Sequence, residues 1–438
     1  MSRPTPPTAR RRRLAFALAL GLALAGDPAR AQPPEPSAPA AADGTPTPAA
    51  PGTPIAVGAA VPLGLVVPDS ELVLGPTLYG FDTAAFVAAA GGYLARYAEP
   101  VGGEVWTGAD AVDRVAHAYG IGPRVLLALI ELHSGWVRDV RPAEQTYPLG
   151  GDVPGLFHGL TTAADALNEA YYARRLGQRD TVLLADGQRV RLDPSLNAGS
   201  FALLSLLAAD VGATEWPALA APSAFWTIWH DLFGHEPLYY NASPVERPEL
   251  PPFPLRLPFA DGAIWYFVEG PASPRGPGGP RASIAFAPPP AGATGCTPSA
   301  EWVVAAAGGT VVRSDALGVI IDSDDDGFVG SGWSVTYRHL ADIERVAAGA
   351  TVRAGDRIGH PSCADGPATV TRVSLARRYN GAWLPADHAA APLVLDGWAA
   401  LPGAVDGEGL LIRSDANARQ AGTAKIDARN GVIAGLGR

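Results

Sequence analysis

The first half of the sequence places apolar residues with a helical period. From about residue 81 to residue 233 they recur every three or four positions, and residues that favour helix starts precede several segments. Thr83, either Thr107 or Asp110, and Pro123 stand at three of these starts. The pattern predicts helices at residues 84–97, 109–119, 124–133, 162–175, 200–209 and 222–231.

The pattern changes after a Pro-rich stretch at residues 244–258. Short runs rich in valine and isoleucine follow, bounded by glycine and aspartate, and their spacing is typical of antiparallel strands. The predicted strands are 263–268, 283–287, 302–306, 310–313, 318–322, 333–339, 356–359 and 369–376. We therefore predict an α+β, multidomain chain with a helical domain at 69–243, a linker at 244–258, a β domain at 259–413 and a poorly ordered polar tail at 414–438.

The N-terminus has the three parts of a secretory signal peptide. Four arginines at residues 10–13 precede an apolar run, and Ala29-Arg30-Ala31 forms a small-x-small cleavage site. We predict a signal peptide at 1–31, cleaved near Ala31, and a secreted, periplasmic or cell-envelope protein. The apolar run is shorter than the ~20 residues of a membrane span, and no cysteine follows to accept a lipid. Residues 32–68, rich in proline and alanine, predict an extended linker.

Charge and cysteine content narrow the choice of partner and compartment. The 438 residues carry a net charge of −10, and basic residues form no run after the first thirteen positions, which excludes nucleic acid as the main partner. The two cysteines, Cys296 and Cys363, predict a disulfide in an oxidising compartment, worth about 4 kcal/mol for a loop of this size. Two unpaired, buried thiols are the alternative.

The segment at 124–133 is nearly apolar all round and carries one acid, Glu131. The run at 122–135 resembles the helix ending in Glu-Ser-Gly of the lysozyme-like superfamily that includes lytic transglycosylases, and 197–199 resembles their later Asn-Ala-Gly turn. The resemblance implies a lysozyme-like domain whose acid before the serine protonates a glycosidic oxygen. His133 stands in that position, and Glu131 points about 200° away from it. Glu131 is either a hydrogen-bonded core acid or a residual muramidase acid.

The motifs of the β domain carry a second resemblance. The segments 302–312, 335–340 and 352–360 follow the patterns A-x-G-x-V, Y-x-H-L and V-x-x-G-D-x-I-G, in that order. They resemble the lysostaphin-type (LytM-like) zinc endopeptidases, which cut the peptide cross-links of peptidoglycan. The resemblance implies a duplicated hybrid motif fold, with zinc held by an early His and Asp and by the second His of a late His-x-His pair. The first His of that pair and the histidine of Tyr-x-His assist the water.

The sequence departs from this pattern at all three zinc positions. Ala272 and Ala285 stand where the early His and Asp belong, and Arg372 and Ser374 replace the late histidine pair. His339 alone survives, as a vestigial catalytic residue. Because none of these replacements is a usual zinc ligand, we predict that the domain is a pseudo-peptidase that binds no zinc.

A groove that lost its metal can still bind a ligand. We hypothesise that Arg372, with Ser374, His339 and Tyr337 nearby, binds a carboxylate of the peptidoglycan stem peptide. The alternative is that Arg372 forms an ion pair with an acid of the chain itself. The acids considered for this role are Asp356 and Asp387.

Two other residue groups are candidate metal ligands. Residues 322–327 match the first half of a D-x-D-x-D-G calcium loop, but Trp333 occupies the position of its closing glutamate. The run is therefore either a weak calcium site or a polar connection between two strands. The candidate calcium ligands are Asp322, Asp324 and Asp326. The candidates for a substitute zinc site are His360 and His388.

Both resemblances point to peptidoglycan. The first hypothesis is an exported, non-catalytic cell-wall protein that binds murein or regulates a murein hydrolase through the pseudo-peptidase groove. The second is an active peptidoglycan hydrolase, acting through Glu131 or a substitute metal site. The third is a structural scaffold of the cell envelope that keeps both folds without either activity.

Overall fold

The computed structural model describes residues 65–237, 245, 249–289, 296, 299–366, 368–414, 418–421 and 428–435. The predicted signal peptide, and the predicted linker as far as residue 64, lie outside these residues. Helices occupy the first part of the described chain, and antiparallel sheets dominate the second, so the fold is α+β. In the described ranges, no helix has both the length and the apolar character needed to cross a bilayer.

The helical part follows most of the predicted boundaries. The helices predicted at 109–119, 124–133, 200–209 and 222–231 are confirmed to within two residues at each end, and the one predicted at 162–175 starts six residues earlier. The described α-helices are α1 (Asp69–Leu72), α2 (Thr83–Ala90), α3 (Gly108–Tyr119), α4 (Pro123–Ser134), α5 (Leu156–Arg175), α6 (Ala198–Ala208), α7 (Trp216–Leu219) and α8 (Pro222–Phe233).

Local chemistry explains where these helices begin and end. Thr107 and Asp110 form a reciprocal capping box at the start of α3, which resolves the choice of start residue left open by the sequence. The prediction of one continuous helix over 84–97 is wrong. Helix α2 ends at Ala90 because Gly91 adopts a φ of 68°, a left-handed conformation that terminates helices, and Tyr93–Arg96 form a separate 3-10 turn.

The strands form one large mixed-length sheet and several smaller ones. The described strands are β1 (Ala98–Val101), β2 (Glu104–Thr107), β3 (Thr181–Leu183), β4 (Arg189–Arg191), β5 (Ile264–Ala272), β6 (Ser283–Ala287), β7 (Val303–Val304), β8 (Gly309–Asp315), β9 (Gly318–Asp322), β10 (Trp333–Arg338), β11 (Thr351–Val352), β12 (Arg357–Gly359), β13 (Val373–Tyr379), β14 (Ala382–Trp383), β15 (Val394–Leu395), β16 (Trp398–Pro402), β17 (Gly409–Ile412), β18 (Ala418–Ala421) and β19 (Gly431–Ile433). In the large sheet the order is β11-β8-β9-β10-β13-β6-β5-β19, with β14 paired to β13.

Two predicted strands and the predicted tail differ from the structure. The strand predicted at 302–306 shrinks to β7, and the one predicted at 369–376 is displaced to β13, because the backbone of Arg372 pairs with Ser362 outside the ladder. The prediction that residues after 414 are poorly ordered is wrong for the part that the structure describes. There β18 pairs with β17, and β19 adds to the edge of β5, where Val432 is fully buried.

The large sheet uses its two faces differently. Side chains alternate between faces along each strand, so Leu375 and Tyr337 enter the core of the β part while Ala376 projects to the opposite face. That opposite face is covered by the helical part, because Ala376, Ala382 and Trp383 belong to the same hydrophobic core as the helices. The helical and β parts are therefore packed against one another.

A buried arginine holds this contact together. The guanidinium of Arg378, on β13, donates to the carbonyl oxygens of His117 (2.7 Å) and Ala118 (3.0 Å) at the end of α3. It also lies 3.7 Å from the ring of Trp383, whose indole donates to Tyr119 O at 3.0 Å. Burial lowers the pKa of Arg378 to about 9, so the group stays charged at neutral pH.

The predicted disulfide is confirmed. Cys296 and Cys363 are bonded, at a sequence separation of 67. The bond fixes the loop that follows β12 to the segment that precedes β7.

Arg378→Met tests the contact between the two parts. We expect the free energy of unfolding to fall by about 2–4 kcal/mol, because two buried carbonyls at the end of α3 lose their donors. Urea unfolding measures the change, and Arg189→Met, at an exposed arginine on β4, is the matched control. Equal stability of the two variants would contradict the assignment.

Candidate functional site

The sheet brings the predicted zinc positions together. Ala285 on β6 is the direct cross-strand partner of Ser374 on β13, and Ser374 is in turn opposite Arg338 on β10. His339 follows β10, and Ala272 ends β5 opposite Ser283, two positions along β6 from Ala285. The residues predicted to align with the family's metal site thus lie on, or just after, adjacent strands of one sheet.

Apolar groups surround the aligned positions. Ala285 is fully buried in a small cluster with Val268, Ala287 and Val370. Ser374 is 3% exposed, and its hydroxyl is buried without a hydrogen-bond partner. Neither alanine methyl nor a lone hydroxyl supplies the nitrogen, sulfur or carboxylate ligands that zinc takes in proteins.

Arg372 forms an ion pair across this site. Its guanidinium lies 3.3 Å from the carboxylate of Glu269 on β5. The partners suggested from the sequence for Arg372 were Asp356 and Asp387. Asp356 instead accepts a hydrogen bond from the backbone N–H of Arg353. A bulge between β5 and β6 brings Glu269 opposite Ala285. Because the residue pattern does not reveal this bulge, the sequence did not predict Glu269 as the partner of Arg372.

His339 is present but enclosed. It adopts a φ of 61°, is 1% exposed, and its Nδ1 lies 2.6 Å from the carbonyl oxygen of Ala364. Burial, with smaller contributions from the charges of Arg338 and Arg372, lowers the pKa of His339 to about 3. The imidazole is therefore neutral, with the proton on Nδ1 and the lone pair on Nε2.

Tyr337 lies outside the site. Its ring is fully buried in the core of the β part, and its hydroxyl accepts from the N–H of Ala306 at 2.7 Å. Burial raises the pKa of Tyr337 well above its usual range. Tyr337 and His339 are separated by one residue along the strand end, yet only His339 lies beside the aligned positions.

A charge cluster that the sequence did not indicate borders the site. Asp365 accepts from Arg275 (Nη1–Oδ1, 2.5 Å) and from Arg338 (Nε–Oδ2, 2.9 Å). These three residues come from the loop after β5, the end of β10 and the loop after β12, so Asp365 ties three segments together. Asp165 on α5 adds a carboxylate near both arginines, and burial raises its pKa to about 6.

A glycine permits this approach of the helical part. Gly276, in the loop after β5, has a φ of 45°, and a Cβ atom there would lie 2.0 Å from Asp165 Oδ1. Any side chain at this position would therefore force the Asp165 carboxylate to move. The helical part thus reaches the border of the site.

The helix α4 places its two candidate residues in different surroundings. Glu131 accepts from the backbone N–H groups of Val137 (3.1 Å) and Arg138 (3.2 Å) and forms an ion pair with the Arg138 side chain at 2.8 Å. His133 is buried near Asp210, with 3.9 Å between Nε2 and Oδ2, and burial lowers its pKa to about 4. Glu131 thus closes the turn after α4.

The Asn-Ala-Gly turn also has a local structural use. The side chain of Asn197 accepts from the N–H of Ser200 and so caps α6. Its amide donates to Val67 O at 2.8 Å and to Asp69 at 2.7 Å, and Asp69 also accepts from Gly199 N. The turn therefore joins α6 to the start of the described chain.

Of the other candidate metal ligands, three aspartates form a cluster, called here the acidic triad, and His360 and His388 do not belong to it. His360 Nε2 lies 2.9 Å from Glu344, and its Nδ1 lies 2.9 Å from Glu301 O. Within the described residues, the acidic triad is the only group of three or more His, Cys, Asp or Glu side chains whose ligand atoms converge. This triad is Asp322, Asp324 and Asp326.

The acidic triad lies in the connection between β9 and β10, as the sequence predicts for the run 322–327. One oxygen of each carboxylate lies within 4.8 Å of the others. Burial, together with the neighbouring carboxylates Asp322 and Asp326, raises the pKa of Asp324 to about 8.

Comparison with known proteins gives a family match in the helical part. Residues 65–245 match the family described as LasA, N-terminal domain. The match covers the segment that the sequence likened to lytic transglycosylases, and that likeness stays a prediction. No curated protein matches the chain.

Among solved structures, the chain resembles peptidases. The M23 metalloprotease pseudoalterin from the deep sea is 21% identical over 39% of this chain and 96% of its own, with a TM-score of 0.33. A zinc-containing peptidase from Vibrio cholerae is 20% identical over 32% of this chain and 41% of its own, with a TM-score of 0.24. A putative M23 peptidase from Pseudomonas aeruginosa is 20% identical over 34% and 56%, with a TM-score of 0.21.

Zinc content tests the aligned positions. We expect protein equilibrated with zinc and desalted to hold well below one zinc per chain, because Ala272, Ala285 and Ser374 offer no ligand set. Elemental analysis measures this. The matched comparison is the triple variant Ala272→His, Ala285→Asp and Ser374→His, which restores the family's ligand types. One tightly held zinc per unmodified chain would contradict the prediction.

Glu131→Gln tests whether Glu131 is structural. We expect the variant to lose about 1–3 kcal/mol of unfolding free energy, because hydrogen bonds to a carboxylate are replaced by weaker ones, and to leave any murein-clearing activity unchanged. Asp231→Asn removes an exposed ion pair to the same Arg138 and should cost less than about 1 kcal/mol. Loss of clearing activity with the fold intact would establish Glu131 as a catalytic acid.

Proposed function

We propose that this chain is an exported, non-catalytic cell-wall protein that binds peptidoglycan, or a murein hydrolase, through a lysostaphin-type groove that has lost its metal. The observation that carries the proposal is the placement of Ala272, Ala285 and Ser374 on three neighbouring strands, β5, β6 and β13. These are the positions at which the resemblance places the three zinc ligands. The side chains present at these positions are two methyl groups and one hydroxyl, which supports a groove without the family's ligand set.

Peptide hydrolysis by the family mechanism needs a bound metal that polarises the carbonyl and activates water. The residues present do not fit zinc, since two methyl groups and one hydroxyl stand at its positions. His339 adds no alternative, because it is buried and its Nδ1 is engaged by Ala364 O. Neither His339 nor the residues at the three aligned positions could therefore replace the metal as a Lewis acid.

Peptidoglycan is supported as the ligand by two independent parts of the chain. Residues 65–245 match the LasA N-terminal domain family, and the motifs at 302–360 resemble lysostaphin-type endopeptidases. The disulfide between Cys296 and Cys363 suits an oxidising compartment outside the cytoplasm, in keeping with the predicted signal peptide.

Arg372 supplies the chemistry for binding. A guanidinium stays protonated and binds a carboxylate with two parallel hydrogen bonds, and stem peptides of peptidoglycan carry free carboxylates. The side chain of Arg372 is 12% exposed, and its partner Glu269 is 27% exposed, so the pair lies at the border of solvent. A ligand carboxylate would bind by displacing that of Glu269.

Sedimentation with purified peptidoglycan sacculi tests the proposal, and a zymogram on the same sacculi tests for hydrolysis. We expect the protein to sediment with sacculi and to leave no cleared band. A cleared band would establish an active hydrolase. If the protein neither clears nor sediments with sacculi, and retains no murein hydrolase, the proposal is wrong. The structural-scaffold hypothesis would then be favoured.

Arg372→Ala should lower the affinity for soluble muropeptides by about 1.5–3 kcal/mol, because a charged hydrogen bond to the ligand is lost. Glu269→Gln should bind at least as tightly as the unmodified protein, since Arg372 is then released from its ion pair. Titration calorimetry measures both variants, with Arg189→Ala as the exposed control. Unchanged affinity of Arg372→Ala would eliminate Arg372 as the ligand-binding residue.

A further inference from the structure

The end of β9 and its connection to β10 hold a cluster of acidic side chains, and no basic group among the described residues pairs with it. Asp322, Asp324 and Asp326 converge, and among the described residues none of them forms an ion pair with an arginine or histidine. Three carboxyl groups this close repel one another when all are ionised, so the cluster either holds a proton or binds a cation that compensates the charge.

The base of this cluster is completely buried. Asp322 has no exposed surface, and its Oδ2 accepts from the N–H of Gly327 at 2.9 Å. Its carboxylate also contacts Asp324, but among the described residues none outside the triad donates to its Oδ1. A buried carboxylate oxygen normally has a donor or a metal, because an unsatisfied one costs free energy.

A second unsatisfied group lies beside Asp322 on the next strand. Ser334 is the direct cross-strand partner of Asp322, so the two side chains project from the same face of the sheet. Ser334 is fully buried, and its hydroxyl has no hydrogen-bond partner. This oxygen is outside the acidic run and is independent of the repulsion within it.

We propose that the acidic triad, together with this buried serine hydroxyl, is a calcium site. All its donors are oxygens, which is the ligand type that Ca²⁺ prefers. Two oxygens on opposite sides of a Ca²⁺ ion are about 5 Å apart at ligand distances of about 2.3–2.6 Å. The carboxylate oxygens of the triad, within 4.8 Å of one another, fit that sphere.

The loop is shaped around the carboxylates. Gly332 has a φ of 55°, and a Cβ atom there would lie 1.8 Å from Asp324 Oδ2. Asp326 is oriented by the N–H of Phe328 at 2.8 Å and by the hydroxyl of Ser331. Because Trp333 stands in place of a closing glutamate, we expect a dissociation constant on the order of 10⁻⁴–10⁻³ M, as in the weaker extracellular modules.

Calorimetric titration of the full chain with CaCl₂, after treatment with EDTA, tests the site. We expect saturable binding of one ion and a rise of several degrees in the unfolding temperature at about 10 mM Ca²⁺. Asp324→Asn should lose at least ten-fold in affinity and show no such rise. The matched control is Asp325→Asn, which removes the same charge from the next residue, an acid that contacts Thr310 and is not in the triad.

The sign of the effect in EDTA distinguishes a metal ligand from a structural acid. Without Ca²⁺, Asp324→Asn should unfold at the same or a higher temperature than the unmodified protein, because a neutral amide replaces a carboxyl group held close to two others. Asp326→Asn provides the same test if Asp324→Asn fails to fold. Absence of saturable binding, an equal response to MgCl₂, or equal losses in Asp324→Asn and Asp325→Asn would overturn the proposal.

Discussion

The contact between the helical and β parts depends on how the end of one helix is satisfied. The last carbonyl groups of an α-helix have no partner within the helix, and burying them without donors is costly. At the end of α3, side chains of β13 and β14 provide those donors: Arg378 binds His117 O and Ala118 O, and Trp383 binds Tyr119 O. The positive guanidinium also faces the negative end of the helix dipole. The sheet therefore completes α3, and α3 in turn neutralises a buried charge of the sheet.

Sequence periodicity predicted the elements better than it predicted this contact. Apolar spacing and start residues are local properties, so α3, α4, α8 and the strands β6 and β9 could be placed within about two residues. An arginine within a run of strand residues gives no sign that it is buried, because its partners are backbone carbonyls 260 positions away. The separation into helical and β domains stays a prediction about boundaries, whereas the shared packing around Ala376 could only come from the structure.

The candidate site shows the same division. Motif order located Ala272, Ala285, Ser374 and His339, and the strand register does bring them to neighbouring positions. The sequence could not show what fills the space around them, since Arg372 meets Glu269 only through the bulge in β5. Tyr337 illustrates the limit of a motif, because strand alternation would place Tyr337 and His339 on the same face, whereas His339 follows the end of β10 and leaves the strand with a φ of 61°.

The border of the site shows how these loops can be ordered without a metal ion. In a metal site the cation fixes its ligands and keeps one position open for water. Here the guanidinium groups of Arg275 and Arg338 surround the carboxylate of Asp365, and their remaining N–H groups reach the backbone carbonyls of Leu317 and Pro274. A guanidinium uses its N–H groups as donors and has no open coordination position, so it can organise neighbouring loops but cannot activate water. This arrangement is therefore compatible with a rigid binding surface and does not replace the chemistry of the metal.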